Sequence, residues 1–264
     1  MFLTVQLKHF DVTAVFAELR DVLTRETDYH QEAASLERYR GYAHQVPGLR
    51  LPELFREFST ARVLALSYER GLTIDAYLAS NPSLAARERV AHQVLDLFFR
   101  EFFDWGLVQT DANFANFLIR PDTQELVLLD FGATRAYPPA FRANYRTLLT
   151  ATLAGDRNAA LAAAHALELI APQEAEAGRA ALHALLEAVL IVFTPAAQPV
   201  DFQDKRLIDD AGAKLRAYYG QLTCSLPPAQ LIFLHRKLGG VYSMGRALRA
   251  RLDLSPYAAR LEVS

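Results

Sequence analysis

Residues 109–135, QTDANFANFLIRPDTQELVLLDFGATR, concentrate the side chains that could do chemistry. Asp111 sits in a loop after a helix expected to be buried, Asn116 follows five residues later, and Asp130-Phe131-Gly132 stands at the far end of an expected hairpin. Moving a phosphoryl group off a triphosphate develops charge that a divalent cation must neutralise. Magnesium takes hard oxygen ligands, so a carboxylate and an amide oxygen suit it. Asn116 and Asp130 therefore read as magnesium ligands, and Asp111 as the carboxylate that orients the attacking oxygen. Gly132 would give the backbone freedom to turn after Asp130.

These residues need a scaffold. Apolar residues recur at helical spacing from Val12 to Leu23, which predicts one amphipathic helix over residues 12–42. Residues 62–68, RVLALSY, read as a strand leading into a linker. Asn81-Pro82-Ser83 predicts the start of a helix over 84–105, and Gly106 its end. Residues 116–119 and 126–129 pair as a hairpin across the turn Pro121-Asp122-Thr123-Gln124. Helices are expected near 139–153, 158–168, 174–193, 203–220 and 228–251. The order predicts an α+β fold with a helical bulk.

Composition narrows the class. The 264 residues are 52% hydrophobic with formal net charge -2, so a core can form and no broad basic field draws nucleic acid. Cys224 is the single cysteine, which excludes an intramolecular disulfide and a thiolate metal cluster. The first ten residues do not read as a secretory signal, and no apolar run approaches a bilayer span. Phe98, Phe99, Phe102, Phe103 and Trp105 read as core, and His92, His165 and His183 have no metal-ligand spacing.

Asp111, Asn116 and Asp130-Phe131-Gly132 in this order across a hairpin resemble the catalytic core of the protein-kinase-like fold. Gln109-Thr110-Asp111 with Asn113 and Asn116, followed by Leu129-Asp130-Phe131-Gly132-Ala133-Thr134-Arg135, narrows the resemblance to the UbiB-type atypical kinases. Glu26-Thr27-Asp28 with Glu32, and the late segment Leu234-His235-Arg236-Lys237-Leu238, are similar to the same family. The resemblance implies a partial N-lobe over 1–70 and a mostly helical C-lobe over 71–264. It implies ATP and Mg2+ as cofactors and a kinase or ATPase activity supporting ubiquinone biosynthesis. By it, Glu32 matches the helix glutamate that pairs with an ATP-binding lysine. Glu26 and Asp28 match an acidic motif that shapes the nucleotide site, and Tyr68 and Glu69 fall where a hinge meets adenine. A nucleotide is the implied partner, with a lipid or enzymes of the quinone pathway. The implied location is cytoplasmic, with peripheral contact at the inner membrane.

The chain departs from that pattern at its start. Family members carry an Ala-rich nucleotide loop, a strand lysine and a Lys-x-Gly-Gln segment before this helix. Here the one lysine before residue 205 is Lys8, in a context unlike the strand motif. Met1 is therefore expected not to be the natural start. About six residues separate Gly132 from the helix near Pro138, too few for a peptide-docking segment, so a lipid, a small molecule or water is the expected acceptor. Two alternatives stay open. One is a pseudokinase or scaffold that binds without catalysing. The other is a small-molecule phosphotransferase. For Glu26, Asp28 and Glu32 a solvated helix face is the plain alternative.

Overall fold

Asp28 has extended backbone, and its carboxylate accepts a hydrogen bond from the His30 N–H at 3.0 Å. That is an N-cap, so the first helix of the described residues, α1 (Tyr29–Ala43), begins there. The continuous helix expected over 12–42 is corrected at this point, because residue 28 leaves the helical region. The computed structural model describes residues 28–224 and 228–262. Glu26, Lys8 and the rest of the expected first helix lie outside them.

Strands β1 (Leu49–Arg50), β2 (Leu72–Thr73), β4 (Phe117–Ile119) and β5 (Leu126–Leu128) form one sheet in the order β1-β5-β4-β2. The β4–β5 hairpin is antiparallel, with Phe117 opposite Leu128. Gln124 takes a positive φ of 58° in its turn, and the Tyr77 hydroxyl holds the Gln124 side chain at 3.0 Å. Residues 62–68 are not a strand of this sheet. They form one arm of an irregular hairpin, closed by the Leu54–Leu66 and Thr60–Val63 bridges.

After the short helix α2 (Ile74–Ala79), α3 (Leu84–Phe99) starts where Ser83 accepts from the Ala86 N–H. It runs on as a π-helical segment, Arg100–Trp105. Gly106 ends it with φ 64°. A side chain there would meet the Tyr137 carbonyl at 2.9 Å, so glycine is required twice over. The buried face of this helix carries Phe98, Phe99, Phe102 and Phe103, and Phe102 packs edge-on with Tyr137 and Tyr145. The expected aromatic core is therefore present.

Strand β3 (Leu107–Gln109) follows at once and pairs with β6 (Thr134–Ala136). The chain then passes directly into α4 (Pro139–Leu153). Helices α5 (Arg157–Ala166), α6 (Glu176–Leu190), α7 (Lys205–Gln221) and α8 (Ala229–Ala247) complete the helical bulk. Strands β7 (Val200–Asp201) and β8 (Arg251–Leu252) pair, and α9 (Ser255–Glu262) closes the described chain. The mixed α+β architecture matches the sequence reading.

Candidate active site

Three backbone devices bring the acidic residues together. The Thr110 N–H and hydroxyl both donate to the Ala133 carbonyl, at 3.0 and 2.7 Å. This ties the loop before Asp111 to the strand after Gly132. The Leu129 N–H donates to the Asn116 carbonyl at 3.0 Å, extending the hairpin ladder to its mouth. Asn113 caps the turn between them by accepting from the Ala115 N–H at 3.1 Å.

At that mouth, Asn116 Nδ2 donates to Asp111 Oδ2 at 2.9 Å and to the Asp111 carbonyl at 3.3 Å. The amide N–H is thus spent on Asp111. Oδ1 of Asn116 has no donor among the described residues and is the atom left for a cation. Asp130 Oδ1 accepts from the Gly132 N–H at 2.8 Å. Gly132 does not use a positive φ. The turn after Asp130 therefore does not call on glycine's freedom, and a side chain there would only come into ordinary contact with Asp130 and Glu32.

Glu32 of α1 reaches the same place. Its Oε1 accepts from the Phe131 N–H at 3.2 Å. Burial pushes its carboxyl above the ordinary value, the Phe131 bond opposes this, and the neighbouring Asp130 carboxylate raises it further. Glu32 therefore faces Asp130. No lysine or arginine among the described residues pairs with it.

The other expected site residues make contacts of their own. Asp28 caps α1. Glu69 accepts from Ser67 at 2.9 Å and from Arg120 of the hairpin at 3.0 Å, which pins the linker to the β4 end. Tyr68 beside it is 88% exposed.

Two residues that spacing did not single out complete the site. Arg236 of α8 pairs with Asp111 Oδ1. Lys237, one residue on, is buried and stands 3.1 Å from Glu101 Oε2 and 3.4 Å from Gln109 Oε1. The Tyr39 hydroxyl of α1 donates to Glu101 Oε1 at 3.1 Å. Burial pushes the Tyr39 hydroxyl far up, so it stays a donor. Their sequence signal was the segment 234–238, which had a family likeness but no evident mechanism.

Among the described residues, no group of three or more His, Cys, Asp or Glu could hold a metal ion. One amide and one carboxylate oxygen suit a cation that keeps its waters and takes the remaining ligands from phosphates, as magnesium does.

A sequence model of the ABC1 atypical kinase-like domain matches residues 2–164. The chain belongs to the ABC1 atypical kinase-like family. Within it, the chain is 31% identical over 242 residues to the atypical kinase COQ8B, mitochondrial, of Rattus norvegicus, covering 89% of this chain and 44% of that protein. It is 28% identical over 249 residues to the atypical kinase COQ8, mitochondrial, of Saccharomyces cerevisiae, covering 93% and 48%. The chain thus spans less than half the length of either relative. Rv3197 of Mycobacterium tuberculosis, solved as a complex with erythromycin, superposes with a TM-score of 0.74 at 19% identity, covering 96% of this chain and 62% of that one. That likeness speaks for the fold of the ABC1-type chain. No helix among its described residues is long and apolar enough to cross a membrane.

Proposed function

We propose that this chain carries the nucleotide site of an atypical kinase or ATPase that uses ATP with magnesium and supports ubiquinone biosynthesis. The carrying observation is the Asn116–Asp111 hydrogen bond at 2.9 Å at the mouth of the hairpin that leads to Asp130. In this reading Asn116 Oδ1 and Asp130 hold magnesium, which neutralises the phosphates. Asp111 orients the acceptor oxygen, whether water or a lipid or small-molecule hydroxyl. By the family likeness, Glu26 and Asp28 would be the acidic motif that shapes the nucleotide site, Glu32 the helix glutamate that pairs with an ATP-binding lysine, and Tyr68 and Glu69 the residues that meet adenine. The direct passage from β6 into α4 leaves no docking segment for a peptide, which supports a non-protein acceptor.

The ubiquinone assignment and peripheral contact with a membrane, including an inner-membrane location, draw on the family alone. One observation favours the second reading, a chain that binds nucleotide without turning it over. Among the described residues the Glu32 carboxylate lies against Asp130 and the Phe131 N–H and not against a cation.

Titration of the purified chain with ATP, with and without Mg2+, separates these readings from a bland fold. Magnesium-dependent ATP binding that weakens at least about tenfold in Asp130→Asn, a loss of about 1.4 kcal/mol, supports the site. ATP hydrolysis then separates enzyme from binder. Nucleotide binding that is absent, or indifferent to Asp130→Asn, sinks both.

A further inference from the structure

One turn of α8 is docked on the loop that carries Asp111. Gly240 sets the distance: a Cβ there would stand 1.9 Å from the Ala112 Cβ, so only glycine lets the helix come this close. Lys237 sets the register from the inside, with its ammonium on Glu101 and Gln109. Arg236, beside it, is exposed and pairs with Asp111 Oδ1. The two oxygens of Asp111 are thereby divided, Oδ2 to Asn116 and Oδ1 to Arg236.

Arg236 is placed for more than this pair. Its side chain is 59% exposed, and among the described residues Asp111 is its one hydrogen-bond partner. A guanidinium has five donors in a planar fork that matches phosphate oxygens, and its charge is permanent. Among the described residues it is the cation that contacts Asp111, Asn116, Glu32 or Asp130. Phosphoryl transfer develops negative charge on the equatorial oxygens close to the attacking atom, where Asp111 must also stand.

We propose that Arg236 is a catalytic residue that bridges Asp111 and the terminal phosphate of the nucleotide. This rests on the reading of the cleft as an ATP site. It goes beyond that reading because α8 lies outside residues 2–164, where the domain model matches, and the family likeness of its segment 234–238 carries no role for Arg236. In the step it serves, the acceptor oxygen bonds to phosphorus as the bond from phosphorus to the bridging oxygen breaks. That electron pair leaves on ADP, and the acceptor proton passes to Asp111. Arg236 stays charged throughout and takes no proton.

The test compares the wild-type chain with Arg236→Ala and Arg236→Lys, using MgATP and MgADP. Hydrolysis gives kcat and KM, calorimetry gives both affinities, and melting reports folding. The expected result is a fall in kcat on the order of 100-fold in Arg236→Ala, as for loss of one preorganised donor. MgATP binding weakens while MgADP binding and the melting temperature hold. Arg236→Lys recovers part of kcat, since it restores charge without the fork. If the wild type binds without turnover, the ATP-over-ADP preference alone decides. An Arg236→Ala chain with kcat and that preference within twofold of wild type overturns the proposal, as does equal loss of ATP and ADP binding. A wild type that binds neither nucleotide fails one step earlier, at the cleft itself, and takes the proposal with it.

Discussion

Lys237 and Glu101 form an ion pair of 3.1 Å with side chains 2% and 0% exposed. Such a pair has surrendered its hydration, and attraction in the low-dielectric interior only roughly repays that cost. Its worth lies in what it connects. Glu101 lies on the π-helical continuation of α3 and receives the Tyr39 hydroxyl from α1, while Lys237 reaches Gln109 at the end of β3 from α8. Three elements, α1, the continuation of α3 and α8, are thereby locked to the strand that leads into Asp111. Burial still pushes the Glu101 carboxyl up, with Lys237 opposing.

Removing one partner leaves the other buried and uncompensated. Lys237→Met and Glu101→Gln are each expected to lower unfolding stability by about 3–5 kcal/mol, read by urea denaturation. The double variant should cost less than the sum of the two, since neither charge is then stranded. Additive losses would show that the two side chains act independently and that no lock exists.

Gly239 and Gly240 are neighbours on α8 with opposite surroundings. A Cβ on Gly239 meets nothing within 4 Å, whereas one on Gly240 meets Ala112 at 1.9 Å. Intrinsic helix preference favours alanine over glycine by about 1 kcal/mol. Gly239→Ala should therefore raise the melting temperature. Gly240→Ala should lower stability by about 1–3 kcal/mol and weaken nucleotide binding, because overpacking outweighs that preference. Adding Ala112→Gly should restore both, since the nearest remaining atoms stand at 3.2 Å or more. A Gly240→Ala chain as stable as Gly239→Ala would mean that α8 does not press on the catalytic loop.

This contrast also marks what could be read from sequence. Ser83, Gly106 and the aromatic period between them announced α3 because cap, stop and buried face are all local signals. The turn 121–124 announced the hairpin, and the hairpin announced Asn116 and Asp130. Strands β1 and β2 have two residues each, too few for any alternation, and they exist only through pairing with β5 and β4. The missed contacts are of the same kind. Arg236 meets Asp111 across 125 residues of chain, and Lys237 meets Gln109 across 128. Neither separation leaves a periodic trace. Glu32 was legible as an acid of α1, but its contact with Phe131 and Asp130 belongs to the folded chain alone.

Asn116 spends its amide N–H on Asp111 at 2.9 Å. Asn116→Asp keeps an oxygen for a cation but replaces the donor with a second negative charge. The variant should melt at a lower temperature than wild type in EDTA, with most of the loss recovered at millimolar MgCl2, because a bound cation stabilises the state that binds it. A melting temperature unchanged in EDTA would place Asn116 and Asp111 too far apart to repel.

Glu32 supplies a prediction in pH. Its carboxyl holds a proton more tightly in the folded chain than at the ordinary value of 4.5, through burial and the nearby Asp130 charge. A raised acid favours folding fully below that ordinary value, and the benefit is lost as pH rises through the folded value. At neutral pH ionised Glu32 is therefore a cost, moderated by its partial exposure to water. Glu32→Gln keeps an acceptor for the Phe131 N–H and removes the charge. Its melting temperature should exceed that of wild type at pH 7–8, and the gap should close as both are taken below about pH 4. A variant that melts lower than wild type at pH 7–8 would show that Glu32 has an unrecognised cationic partner, and the acidic reading of this side of the cleft would fall.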